Sequence, residues 1–141
     1  MSVDAISSLY ETGAVGPPQA AYLNAAIRGS YFGVPTALLA RLLELERSHG
    51  RARRERWGPR TLDLDILWIR GREVSLPDLR IPHPHLAERR FALAPLLDVA
   101  PDAADPRTGE PYRTVLDALP PAEIVRLEGP GWAGVAIRAA R

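Results

Sequence analysis

Residues 51–69 read RARRERWGPRTLDLDILWI, and the fold turns on where this stretch changes character. Positions 51–60 hold five arginines and a Gly58-Pro59 pair with no apolar period, which reads as an exposed loop. From 61 to 69 the residues alternate, and that alternation predicts a strand. Leu62, Leu64, Ile66 and Trp68 face one side of it, and Asp63, Asp65, Leu67 and Ile69 the other. An arginine-rich loop therefore leads straight into a strand with two acids on one face.

Outward from there, Pro35, Leu38, Leu39, Leu42, Leu43 and Leu45 set a helix with one apolar stripe, expected in the core, and Gly50 stands at its stop. AYLNAAIRGSYF (21–32) reads as extended, with Tyr22, Asn24 and Ala26 pointing one way and Leu23, Ala25 and Ile27 the other. AISSLY (5–10) reads as a short strand, followed by a loop through Gly13, Gly16, Pro17 and Pro18. Beyond the acids, Gly71 makes a turn, 73–77 is extended, and 77–85 is a proline-pinned loop. A helix is expected from about Leu86 or Glu88 to Val99, a surface loop over 102–113 and a short helix over 114–119. A hairpin over 123–139 turns about Gly129–Gly131. No repeat or linker divides residues 1–141, which read as a single domain with a C-terminal hairpin over 123–141.

Composition narrows the function. Eighteen basic residues against seventeen acidic leave a net charge of +1 over 141 residues, too little to recruit nucleic acid or a membrane surface. Every basic residue is arginine, so there is no Schiff-base lysine and no phosphate-loop lysine. Phosphate must be handled by arginine forks, backbone amides or a metal ion. The absence of cysteine removes disulfides and thiolate chemistry. No apolar run approaches the ~20 residues of a membrane helix, and no signal core opens the chain, so a cytoplasmic protein is expected.

Asp63 and Asp65, two positions apart, project about 6.5–7 Å from each other along a strand. They can converge on one divalent cation or on two, or they can be a solvent-facing pair on an edge strand. Leu67 and Ile69 on the same face imply half-burial, and burying like charges without a partner is costly, which favours the metal. Arg60, three residues earlier, could stabilise charge on a transferring phosphoryl group, or the arginine cluster could be merely solvated. Trp57 is a hinge anchor, a stacking surface or plain packing. His83-Pro84-His85 has no evident third metal ligand, so His83 reads as a phosphate or base contact. Asn24 is either structural or a hydrogen-bonding partner for a polar heterocycle. Phe91 is either core or an aromatic wall.

The strings RARRERWGPRTLDLDIL (51–67) and LRIPHPHLAERRFALAPLLDVAP (79–101), with SSLYET (7–12) and YLNAA (22–26), resemble the 6-hydroxymethyl-7,8-dihydropterin pyrophosphokinase family of folate biosynthesis. The resemblance covers roughly residues 5 to 120 and implies a ferredoxin-like α+β sandwich with an antiparallel sheet. It implies Mg²⁺-dependent transfer of pyrophosphate from ATP to 6-hydroxymethyl-7,8-dihydropterin, with release of AMP. On that basis Asp63 and Asp65 hold two Mg²⁺ ions, and Arg51 and Arg60 act from a mobile loop over 51–60. Arg53, His83 and Arg89 contact the triphosphate, and Glu46 the nucleotide's other end. Asn24 reads the pterin, walled by Phe91 and Trp57, with Tyr22 and the stretch from Thr12 to Val15 nearby. The family also has a strand and helix ahead of ISSLYET, so the chain is expected to be N-terminally shortened. Its C-terminal hairpin, or a second copy in a homodimer, is then expected to cover the exposed edge. Two other readings stand beside this one: a noncatalytic homologue that binds nucleotide or pterin, and nucleic-acid binding through 51–60.

Overall fold

A computed structural model describes residues 1–12, 22–51, 62–121 and 124–128. For Tyr22, Gly50, Arg51 and all of 124–128 except Arg126, only the backbone is described. The chain is a mixed α+β structure whose strands pair antiparallel in small sheets. Two long segments near the N-terminus run against each other, and each breaks once. The first gives β1 (Ser2–Ile6) and β2 (Leu9–Thr12); the second gives β3 (Tyr22–Asn24) and β4 (Ile27–Ser30). β1 pairs with β4 and β2 with β3, so the single strands expected over 5–10 and within 21–32 are each two shorter ones.

The break is local chemistry. The buried Ser7 donates its N–H to the Ala26 carbonyl at 2.9 Å, and its hydroxyl accepts the Ala26 N–H at 2.8 Å. A hydroxyl thus stands in for the carbonyl a regular ladder would offer, and the backbone can turn without orphaning a buried N–H. Alternation continues across the break: Asn24 and Ala26 lie inward of the exposed Leu23, Ala25 and Ile27. Gly29 permits the close approach of β4 to β1, because a side chain there would run into the Ser2 carbonyl.

Helix α1 (Pro35–Arg51) continues through Gly50 rather than stopping at it. Its leucine stripe is not core: Leu38, Leu39 and Leu42 are half-buried, while Leu43 and Leu45 are 39% and 47% exposed. After it, β5 (Val74–Leu76) and β6 (Leu79–Ile81) form a hairpin, so part of the expected proline-pinned loop is strand. A 3₁₀ turn (Leu86–Glu88) leads into α2 (Arg90–Val99), and α3 (Tyr112–Ala118) begins two residues before the expected start. Leu86, Leu93, Leu96, Leu97, Ala100, Ala103, Tyr112 and Leu116 make the core between these helices. Residues 102–113 are less superficial than their polarity suggests. Ala103 and Asp105 are buried, Ala104 bridges Pro111, and Trp68 Nε1 donates to the Ala104 carbonyl at 2.9 Å.

β7 (Ile124–Glu128) pairs with β2, giving the order β3-β2-β7. It falls where the first arm of the expected hairpin was placed, and residues 129–141, which would hold the turn and second arm, lie outside the described residues. Helix α2 packs across β1–β4 and is tied to them at its last turn. One oxygen of Asp98 accepts the Ser8 N–H at 3.1 Å and the Tyr10 hydroxyl at 2.7 Å, while Arg28 donates to the Val99 carbonyl at 2.8 Å.

The strand expected over 61–69 is the main correction. Among the described residues, 62–69 has no ladder partner. Alternation describes the chain's two faces, but a strand also needs a neighbour to exchange N–H and C=O bonds with. Residues 63–69 instead form one wall of an open cleft.

Burial pushes the Tyr10 and Tyr112 phenols up to about 12 from the ordinary 10, and the Asp98 carboxylate adds to the effect at Tyr10. The folded chain therefore holds both protons more tightly than the unfolded one. That contribution is whole below pH 10 and is lost as pH rises from 10 toward 12. Urea midpoints should fall across that window, and Tyr112→Phe should remove part of the slope.

Candidate active site

The cleft has a volume of about 860 Å³ and is lined by several of the elements above. β3 and β4 contribute Asn24 and Arg28, α1 contributes Leu38 and Leu42, and the segment that follows the arginine-rich sequence contributes Asp63 through Arg70. The loop after β6 brings His83, and the start of α2 brings Arg89 and Phe91. Six of the residues singled out from sequence thus share one cavity: Asn24, Asp63, Asp65, His83, Arg89 and Phe91.

Asp63 and Asp65 are both exposed, flanked by the half-buried Leu62, Leu64 and Ile66. The burial cost that the sequence suggested for two like charges does not arise; the carboxylates open into the cleft instead. Among the described residues no third His, Asp or Glu joins them to complete a metal cage. A pair of this kind fits Mg²⁺, which takes one or two protein carboxylates and shares its other positions with water and substrate phosphates.

His83 is held at two points. Its N–H donates to the Leu67 carbonyl at 2.8 Å, and its Nδ1 accepts the His85 N–H at 3.1 Å. With Nδ1 accepting, the neutral ring carries its proton on Nε2. Burial pulls its pKa below the usual 6.5, Asp65 opposes that shift, and Arg89 and His85 reinforce it. A neutral N–H donor in the cleft suits an anionic oxygen.

Phe91 is 37% exposed at the first turn of α2, with the Arg89 guanidinium 5.6 Å over its ring. The ring lines the cleft rather than the core, and the cation above it is poised toward the same space. Across the cleft, Asn24 Nδ2 donates to Thr12 Oγ1 at 3.3 Å, and Thr12 faces Tyr22 in the β2–β3 register. Glu46 accepts the backbone N–H of Leu64. Arg51 closes α1, with its side chain outside the description; Val15, Arg53, Trp57 and Arg60 lie outside the described residues altogether.

Sequence reasoning missed three cleft arginines, Arg28, Arg70 and Arg72. Arg28 follows Asn24 and Ala26 at the same two-residue period, which was the available signal. Arg70 stacks 5.1 Å over Trp68 and pairs with Asp102 at 3.1 Å, holding Asp102 below the usual carboxylate range. No local pattern announces a partner 32 residues away.

The chain matches the family model "7,8-dihydro-6-hydroxymethylpterin-pyrophosphokinase (HPPK)" over residues 1–101. It is similar to the 2-amino-4-hydroxy-6-hydroxymethyldihydropteridine pyrophosphokinase of Synechocystis sp., 44% identical over 110 residues. That match covers 78% of this chain and 56% of the relative. The enzyme of the same name from Pseudomonas aeruginosa is 41% identical over 126 residues, covering 89% of this chain and 77% of the relative. The Bacillus subtilis enzyme is 42% identical over 100 residues, covering 70% and 60%. The chain thus spans little more than half the length of the first of these relatives. With the family's match running through β1–β4, the acid pair and all of α2, this chain belongs to the 7,8-dihydro-6-hydroxymethylpterin-pyrophosphokinase family.

Proposed function

We propose that the chain transfers the pyrophosphoryl group of ATP to 6-hydroxymethyl-7,8-dihydropterin and releases AMP, within folate biosynthesis in the cytoplasm. The observation that carries this is the convergence of Asp63, Asp65, His83, Arg89, Asn24 and Phe91 on one cleft. The same reading takes the whole fold as a ferredoxin-like sandwich in one domain, with the loop over 51–60 closing the site and a hairpin over 123–141. Among the described residues no helix is long and apolar enough to cross a membrane.

In this reaction the pterin hydroxyl oxygen bonds to the β-phosphorus of ATP, the bond from that phosphorus to the bridging oxygen breaks, AMP leaves with that oxygen, and the hydroxyl proton passes to solvent. Bound at Asp63 and Asp65, two Mg²⁺ ions would neutralise phosphate charge. The chain's own groups do the rest by position. His83 offers a neutral N–H, and Arg89 and Arg53 offer guanidinium donors to phosphate oxygens. Arg51 and Arg60 bracket the loop and add positive charge as it closes, which excludes water from the transfer. Phe91 and Trp57 sandwich the flat pterin, Asn24 hydrogen-bonds its polar edge, and Thr12, Val15 and Tyr22 shape that end. A homodimer in which a second copy supplies the missing strand at an exposed edge belongs to the same reading, since no strand pairs with residues 62–69 among the described residues.

AMP formation should require ATP, Mg²⁺ and the pterin together, and Asp65→Ala should lower it by about 10³-fold or more, a loss of some 4 kcal/mol in transition-state stabilisation. A folded chain that binds ATP yet makes no AMP would instead be a binding protein. Proton NMR should show His83 titrating below 6.5, and Asp65→Asn should lower its midpoint further, because the carboxylate it removes favours the imidazolium. Sedimentation at micromolar concentration should show a dimer; a stable monomer would remove that part of the proposal.

A further inference from the structure

The carboxylate of Glu46 reaches out of α1 and accepts the N–H of Leu64 at 2.5 Å, across 18 residues of chain. Leu64 stands between Asp63 and Asp65. Its N–H belongs to the rigid peptide plane that joins it to Asp63, so fixing that N–H fixes the plane. On extended backbone the side chains at 63 and 65 leave the same face, opposite that of Leu64, and a fixed plane aims both carboxylates together. This matters more here than in a sheet. Residues 62–69 have no ladder among the described residues, and Leu64 gains from a side chain the hold that a neighbouring strand would ordinarily supply. Among the described residues, a further backbone tie along the segment is at the Leu67 carbonyl, beyond both acids.

We propose that Glu46 is a positioning residue that sets the Asp63–Asp65 pair for divalent-cation binding, through the Leu64 N–H and not through contact with the nucleotide. The inference rests on reading Asp63 and Asp65 as Mg²⁺ ligands. Its chemistry requires an acceptor at Oε2, not a negative charge. A glutamine in place of Glu46 keeps an acceptor oxygen at the same reach, whereas an alanine removes it.

The test uses the full chain with Mn²⁺ as a paramagnetic substitute for Mg²⁺ and a nonhydrolysable methylene analogue of ATP. Free Mn²⁺ is read by electron paramagnetic resonance, and amide hydrogen exchange at Leu64 by NMR. Glu46→Ala should weaken Mn²⁺ binding about 10- to 100-fold, the range found when residues that orient metal ligands are lost, and should speed Leu64 exchange. Glu46→Gln should stay within about threefold of the unmutated chain, with Leu64 exchange still slow. Should Glu46→Ala fail to fold, Glu46→Asp, one methylene too short to reach, takes its place with the same expectation. Unchanged Mn²⁺ affinity in Glu46→Ala, alongside a clear loss in Asp65→Ala, would overturn the positioning role and leave the metal site standing. A loss in Glu46→Gln as large as in Glu46→Ala would also overturn it, since charge would then be the requirement. If Asp65→Ala itself binds Mn²⁺ normally, the metal reading fails and the inference falls with it.

Discussion

One carboxylate, on Asp98 in the last turn of α2, decides how the helix meets the strands. A negative charge near a helix C-terminus is unfavourable, because the carbonyl ends already gather partial negative charge there. Two donors from the first strand segment, the Ser8 N–H and the Tyr10 hydroxyl, converge on a single Asp98 oxygen and offset that penalty. Such charge-assisted bonds contribute about 1.5–3 kcal/mol each, and losing the acceptor would leave two donors unsatisfied. Beside them, the Arg28 guanidinium caps the Val99 carbonyl. Acid and carbonyl on the helix are thus matched by hydroxyl, amide and cation on the strands. The register of α2 over β1–β4 is set by polar bonds, while the apolar core lies mostly on the helix's other contacts, with α3 and the 3₁₀ turn.

That attachment explains why the site can be precise on one side. Arg89 and Phe91 ride on the first turns of a helix whose far end is bolted to the strands, and Asn24 comes from those same strands. Asn24, Arg89 and Phe91 therefore share one attachment. The acids do not. The segment that carries them is held by discrete bonds: Glu46 to the Leu64 amide, the Leu67 carbonyl to His83, and the Trp68 indole to Ala104. Each tie comes from a different element, α1, the loop after β6 and the segment before α3. The acid pair sits where these elements meet.

The parts legible in the sequence were those set by near neighbours. The buried run Leu93, Leu96, Leu97, Val99 follows helical spacing, and the inward parity of Asn24 and Ala26 follows strand spacing. Misreadings arose wherever a second element decides the outcome. The leucines of α1 have core-like spacing, but they face an open cleft rather than the α2–α3 core, so they remain half-exposed. Residues 62–69 have strand-like alternation, yet no strand pairs with them among the described residues. Ser7 looks like an ordinary strand serine until its hydroxyl is seen replacing a carbonyl opposite Ala26. Of the residues singled out from sequence, six line one cleft, Asn24, Asp63, Asp65, His83, Arg89 and Phe91. The engagement of Glu46 by a backbone amide was not legible, since an amide carries no side-chain signature.

With no lysine in the chain, this cleft carries its positive charge on arginine. Arg28, Arg70, Arg72 and Arg89 line it together with Asp4, Asp63 and Asp65. Guanidinium groups remain protonated at any working pH and present donors in a fixed plane, so they bind phosphate without acting as acids or bases. His83, pulled toward its neutral form by burial, is a donor that does not add to this positive charge. The proposed transfer, from a polyanionic nucleotide to a neutral alcohol, needs placement more than proton transfer from the protein. A cleft with unvarying cations on several walls, an acid pair held from behind and a flat ring at the mouth of a bolted helix is built for placement.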